Sequence, residues 1–369
     1  MIDRRGIVVG GGAVVLAGAG AALFGLRQMG SLEEYNSSVA ASRTDLQQTA
    51  EIKDLIRYAT LAANSHNTQP WRFKPDPLGI DILPDLARRL TAVDPDNHHL
   101  FASLGCAAEN LAIGAAMRSK PGTLSFNPAN GGSVRFAFAS GSTPEGRKET
   151  ALFDAIPKRQ STRSDYDGEP VDSASLQTLM RAAAVPGVDV LLITDRPQMT
   201  RVSDIVVAGN TAQIADAAFV RELKSWLRFS PRQAIEAGDG LFSATSGNPV
   251  LPAWAGPILF DLVFKPAAEN EKYARQIGSS AGLAVFVAHK DDPEHWVLAG
   301  RACQRFALAA TSLGVKHAFI NQPVEVAPLR PELAALVGMP GRRPDIVMRF
   351  GYGAPLPYSA RRPVEAVLT

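Results

Sequence analysis

Cysteine is nearly missing from this 369-residue chain: Cys106 and Cys303 are the only two, too few for a disulfide framework. Neither has a further Cys or a His beside it at zinc-ligand spacing, and the six histidines offer one close pair, His98-His99. Adjacent side chains on a helix diverge, so that pair reads as solvated residues at a helix start and no metal site is expected. An excess of one charge is missing too. With 38 basic and 36 acidic residues the formal charge is +2, which argues against a nucleic-acid or acidic partner and leaves a small molecule as the expected ligand. The length suits two or three domains of roughly 150 residues each, and an apolar fraction of 46% fills a core without staples.

What is present begins at the N-terminus. Arg4-Arg5 precede an uncharged run of Gly, Ala and Val from Gly6 to Leu26, long enough to span a bilayer. It resembles a twin-arginine export signal, so residues 1–30 read as a signal or a membrane anchor outside the fold. The export machinery becomes an expected partner, with the membrane joining it through residues 6–26 if the segment is not cleaved. The rest of the chain is then placed outside the cytoplasmic membrane, periplasmic or anchored facing outward.

Helical and strand patterns alternate along the remainder, giving an α+β reading. Helices are expected around Ile52–Ala59, Leu100–Met117, Leu176–Ala183 and Trp296–Leu313. Strands are expected at Gly79–Leu83, Val134–Phe138, Val188–Ile193, Leu283–Ala288 and Ile346–Phe350, with an irregular stretch from Ile193 to about Ile277. Three matches recur in order. Leu55-Ile56-Arg57 pairs with Leu179-Met180-Arg181, Gly79–Leu83 with Gly187–Leu191, and Gly105–Ala112 with Gly300–Ala307. The pattern predicts a duplication, with one copy over 50–150 and a second over 151–369. The second copy lacks the loop around Asn64–Trp71 and carries an insertion over 209–266.

Three segments carry chemistry. Asn64-Ser65-His66-Asn67-Thr68-Gln69-Pro70-Trp71 is a polar loop closed by an X-Pro bend and a Trp. Lys158-Arg159-Gln160-Ser161-Thr162-Arg163 offers guanidinium forks suited to a phosphate. Arg349-Phe350-Gly351-Tyr352-Gly353 leads into a Pro-rich tail with Arg361-Arg362. Together these segments resemble the nitroreductase family of flavin enzymes, in the fused-duplicate, Acg-type branch. The resemblance implies two fused copies forming an intramolecular pseudo-dimer around mixed β-sheets, monomeric, with FMN in one composite site. Arg159, Ser161 and Arg163 would hold the phosphate and pyrimidine edge, Asn64, Ser65 and Asn67 the ring edge or ribityl chain, and Arg361 with Arg362 the phosphate. Asn321 and Gln322 would stand near flavin N5, and no side-chain catalyst is implied because the flavin carries the chemistry. NAD(P)H is the implied donor, for two-electron reduction of nitroaromatic or quinone-type acceptors. In that branch the insertion resembles a lid, with Trp226 and Phe229 over the flavin face. The alternative function is a flavin-holding protein whose lid blocks turnover.

Overall fold

The computed structural model describes residues 28–47, 51–139 and 149–369, so the apolar run at 6–26 and its arginine pair lie outside the described residues. Helix α1 (Leu32–Ala41) starts with a capping box in which Ser31 and Glu34 each accept the other's backbone N–H. Helix α2 (Ile52–Thr60) buries Leu55, Ile56 and Ala59 and is followed by a ten-residue loop and a hairpin of β1 (Trp71–Asp76) and β2 (Gly79–Pro84). Then come α3 (His98–Met117), β3 (Gly122–Asn127) and β4 (Ser133–Phe138). Helix α3 is apolar all round because it is surrounded by core; among the described residues it is long and apolar enough to cross a bilayer, yet it is buried.

The second half runs α4 (Thr150–Ala155), α5 (Ser173–Ala183) and β5 (Val188–Ile193). It continues through α6 (Arg196–Ala215), α7 (Ala217–Trp226), β6 (Leu227–Arg228), α8 (Pro231–Ala237), β7 (Leu241–Phe242), α9 (Gly256–Val263) and α10 (Pro266–Gly278). It closes with β8 (Gly282–Ala288), α11 (Pro293–Ser312), β9 (Lys316–Phe319), α12 (Gln322–Glu325), α13 (Arg330–Leu336) and β10 (Ile346–Gly351). The stretch expected to be irregular is mostly helical. Its apolar repeat is broken because α6 buries Asn210 and Gln213 among its apolar residues, and α10 is rich in charge.

The two four-stranded sheets have the orders β1-β2-β4-β3 and β5-β8-β10-β9. Their named strands pair antiparallel, with isolated parallel bridges Phe73–Leu368 and Ser161–His317 on edge strands β1 and β9, and β6 and β7 form a separate parallel pair. Position for position, β1 corresponds to β5 and β2 to β8. The match of Gly79–Leu83 with Gly187–Leu191 therefore sets a second strand against a first one; two half-buried strands share the same alternation whatever their place in a sheet. The insertion also begins earlier than expected. Residues 194–281 stand where the first sheet has the turn Pro77-Leu78, and Gly209 lies inside α6.

Helices α3 and α11 cross at the centre, between the sheets. A Cβ on Gly300 would lie 1.9 Å from the Ala102 carbonyl oxygen, and one on Gly105 would lie 2.0 Å from that of Val297. The two contacts are reciprocal, three residues apart on each helix. Buried Glu109 pairs across the crossing with Arg301 at 2.8 Å and Arg305 at 2.7 Å, and Cys106 donates to the Gly300 carbonyl.

Candidate functional site

The loop between α2 and β1 is held in a costly shape. His66, Asn67 and Gln69 have φ of 48°, 54° and 52°, the left-handed region that non-glycine residues enter only when their surroundings insist. The partners that insist are visible. Asn67 donates to the carbonyls of Gly240 at 3.0 Å and Ala360 at 3.1 Å, and accepts from Arg361 at 2.8 Å. Gln69 donates to the Gly238 carbonyl at 2.8 Å and accepts from the Arg362 backbone N–H at 2.9 Å. Trp71 packs below, fully buried. The loop is thus clasped by the insertion and the C-terminal tail, and Asn67 is spent on that clasp.

This geometry yields an expected result for Asn67→Ala. It should leave flavin affinity within about twofold while lowering stability by ~1–3 kcal/mol, the cost of orphaning buried polar partners. Paired flavin titrations and urea melts check it; a large loss of affinity at unchanged stability would return Asn67 to the ligand.

Beside the loop lies a cavity of about 520 Å³, within the range of small-molecule pockets. Asn64, Ser65, Arg163, Asn321 and Gln322 line it, so five of the expected site residues are brought together. Gln322 has a buried Oε1 without a hydrogen-bond partner, whereas the Asn321 Oδ1 accepts from the Val347 N–H at 2.9 Å. The insertion roofs the cavity with Phe219, Leu223, Phe229, Leu259, Phe260 and Phe264. Trp226 is the exception. It stands off the cavity wall, with the guanidinium groups of Arg88 and Arg228 5.2 and 5.9 Å from its ring centre.

The arginines divide into two kinds. Arg163 lines the cavity and its guanidinium makes no hydrogen bond or ion pair with the described residues. Arg361 is consumed by the end of α2, donating to the carbonyls of Thr60 at 2.6 Å, Leu61 at 3.3 Å and Ala62 at 3.2 Å. Arg362 bonds the Ala366 carbonyl and stands 3.8 Å from Asp85. The expected pair of tail arginines at the ligand is therefore corrected: both hold backbone, because the tail is also the clasp of the loop. Ser161 sits on a parallel bridge to His317 rather than on the cavity wall.

Arg159 lies between the two kinds. It donates to the Leu61 carbonyl at 2.9 Å, but its buried Nε has no partner. Burial lowers its pKa to about 10; its titratable neighbours are the thiols Cys106 and Cys303, which line the cavity, and the cation Arg163, which pushes the same way as burial. Arg43, in the polar N-terminal stretch, joins the group with a second orphaned Nε and a pKa lowered to about 9 by burial and then by Arg159. Arg361 is likewise pushed well below its ordinary value, by burial and then by Arg43 and Arg159. The groups acting most strongly on these arginines include no carboxylate. Buried cations without acids are costly unless an anion completes them. The donor set thus fits a cofactor with an anionic end.

Two histidine expectations change. His98 and His99 do open α3, but both are buried: His98 meets Asp345 at 2.8 Å, and His99 lines the cavity 3.7 Å from Glu325, which accepts from Gln213 at 2.6 Å. Burial pulls His98, His99 and His317 down to about 3 and raises Asp345 to about 7. Below an unfolded pKa of about 6.5 the unfolded chain takes up protons that these imidazoles refuse, so their contribution is present above that pH and lost toward pH 3. Asp345 works oppositely, its contribution complete below about 4 and lost as pH rises through 7. Burial also pulls His66 down to about 4 and raises Asp94 and Glu325, so four imidazoles stand against three carboxyls and outweigh them. Unfolding free energy should therefore fall between pH 6.5 and 4.5, by up to about 1.4 kcal/mol per pH unit for each net proton, as urea melts would show. A flat profile across that window would contradict neutral burial of the histidines.

His66, His99, Gln213 and Glu325 line the cavity, and together with Arg43 they were not among the expected site residues. His66 was legible within its loop. The others come from segments without a motif, and their place is set by packing alone.

The model of the nitroreductase family matches residues 156–353, and the chain belongs to that family, which makes it an oxidoreductase. Two Mycobacterium tuberculosis (strain H37Rv) proteins carrying the provisional name NAD(P)H nitroreductase are each 25% identical to it. One aligns over 335 residues, 89% of this chain and 94% of the relative; the other, named acg, over 336 residues, 86% and 95%. A solved nitroreductase with bound FMN from Desulfitobacterium hafniense aligns at 17% identity over 58% of this chain and 95% of that one, with a TM-score of 0.37.

Proposed function

We propose that the protein is an FMN-dependent oxidoreductase that uses NAD(P)H for two-electron reduction of small nitroaromatic or quinone-type acceptors. The observation that carries this reading is the cavity itself: Arg163 lines it without a partner among the described residues, and Arg159, which is not on the cavity wall, keeps a buried unpartnered Nε. Bound there, flavin would accept hydride and return electrons in pairs. Arg159 and Arg163 would hold its anionic groups, and their charge favours a reduced, anionic ring. Asn64, Ser65, Asn321 and Gln322 offer polar contacts to a ring edge, with Gln322 Oε1 awaiting a donor. The aromatic roof would limit water at the ring.

The reading extends to the chain as a whole. The matched sheet orders and the reciprocal glycine contacts support two fused copies arranged as a monomeric pseudo-dimer with one flavin. The apolar run at 6–26 supports export and attachment to the membrane, with the folded part outside. A yellow preparation with one FMN per chain that is bleached by NAD(P)H is the expected result; a colourless protein that gains no flavin on titration would overturn it.

The roof favours a second reading, a flavin-holding protein with little turnover. Phe260 and Phe264 stack at 4.5 Å and line the cavity. Replacing both by alanine should speed flavin reduction by NAD(P)H if the roof blocks donor access, and leave it unchanged if the cavity already opens in turnover. Removing Leu223–Pro252 is a poorer test, because Gly238 and Gly240 hold the Asn67–Gln69 loop.

A further inference from the structure

We propose that the outer face of α9 docks on a lipid bilayer. The inference rests on retention of the apolar run at 6–26 as an anchor and names a second contact with the same membrane.

Helix α9 and the residues before it are apolar on both sides. Inward, Gly256, Phe260 and Phe264 line the cavity. Outward, Trp254 is 65% exposed, Ile258 59% and Leu262 65%, and with Val263, 65% exposed where it borders the cavity, they form the densest group of exposed large apolar side chains among the described residues. A helix apolar all round belongs inside a core or against lipid, and a contiguous patch of this kind marks an interaction surface. Its polar features suit a membrane. Asp261, the acid on this helix, is neutralised by Lys224 at 2.6 Å, and the exposed Lys265 at the end of the patch donates to the Asp261 carbonyl at 2.9 Å, so the patch carries no unpaired acid. Trp254 at the patch edge is the residue type favoured at a membrane–water boundary.

The chain's own route selects lipid over other occupants. Gln28, two residues past the apolar run, accepts from Arg232 Nη1 at 2.5 Å, and the Met29 carbonyl accepts from the Arg232 N–H at 3.0 Å. Arg232 belongs to α8, in the same insertion as α9. The two are joined through Phe229, whose carbonyl accepts from Leu251 and whose ring fills the space beside Gly256. The anchor thus enters the fold on the insertion that carries the exposed patch. Docking there sets the cavity wall, rather than a remote face, against the bilayer.

The test uses the full chain, flavin-loaded, in nanodiscs made with plain or tail-brominated phosphatidylcholine. Brominated lipid should quench the tryptophan emission of the unaltered protein. Trp254→Phe should remove more than half of that quenching, since Trp71 is fully buried, Trp296 is 8% exposed, and the ring of the half-buried Trp226 is flanked by the guanidinium groups of Arg88 and Arg228. Ile258→Glu with Leu262→Glu should also remove it while the protein still co-purifies with the discs. Undiminished quenching in Trp254→Phe overturns the docking and leaves the anchor standing; failure to co-purify with discs overturns both. Near-complete crosslinking of two Ile258→Cys chains would give the face to a second copy and also refute the proposal.

Discussion

Gly300→Ala is expected to lower the unfolding free energy by about 3 kcal/mol or more, at the upper end of overpacking costs. The new methyl would fall 1.9 Å from a backbone oxygen of Ala102, and a carbonyl inside a helix cannot rotate aside as a side chain can. Relief requires α3 and α11 to separate, which also lengthens the buried contacts of Glu109 with Arg301 and Arg305. Gly105→Ala should cost a similar amount through Val297, and the double variant less than the sum, because one separation relieves both clashes. Gly278→Ala is the control: it ends α10, has open space around its Cβ position, and should be close to neutral. A urea series on the four proteins checks the order. A Gly300→Ala protein as stable as the control would mean that the crossing is looser than the structure describes.

The second large effect separates the two kinds of arginine. Arg163→Ala should weaken FMN binding by ~1.5–3 kcal/mol, roughly 10- to 150-fold in Kd, with little change in stability, because its guanidinium holds nothing among the described residues. Arg361→Ala should do the reverse, destabilising the fold by about 3–5 kcal/mol, the range for breaking a buried charged network. It orphans the carbonyl of Thr60, takes one of two donors from that of Ala62, and leaves the Asn67 Oδ1 without its donor. Flavin titration beside urea melts distinguishes them. If Arg163→Ala binds FMN as tightly as the unaltered protein, the phosphate end lies elsewhere in the cavity. If Arg361→Ala melts normally yet loses FMN, the tail arginine turns to the ligand after all.

The sequence by itself determined the α+β succession, the three chemical segments and the helix pair. Each rests on local chemistry: apolar spacing sets α2, α3 and α11, an X-Pro bend closes the loop, and guanidinium side chains cluster at Arg159–Arg163. Those signals are carried by neighbouring residues, so they can be read along the chain. The tertiary structure alone decided which polar groups face the cavity. Asn67 and Arg361 look like ligands in sequence but satisfy each other and the end of α2, since a loop with three left-handed residues must be clasped. Arg43, His99 and Glu325 look like ordinary surface or cap residues, yet packing buries them around the cavity or its cations. Strand identity was settled at the same level: β2 and β5 carry the same alternation, and only pairing tells the interior strand from the edge. Whether a polar side chain serves the fold or the ligand depends on partners that lie one to three hundred residues away, and a linear pattern has no record of them.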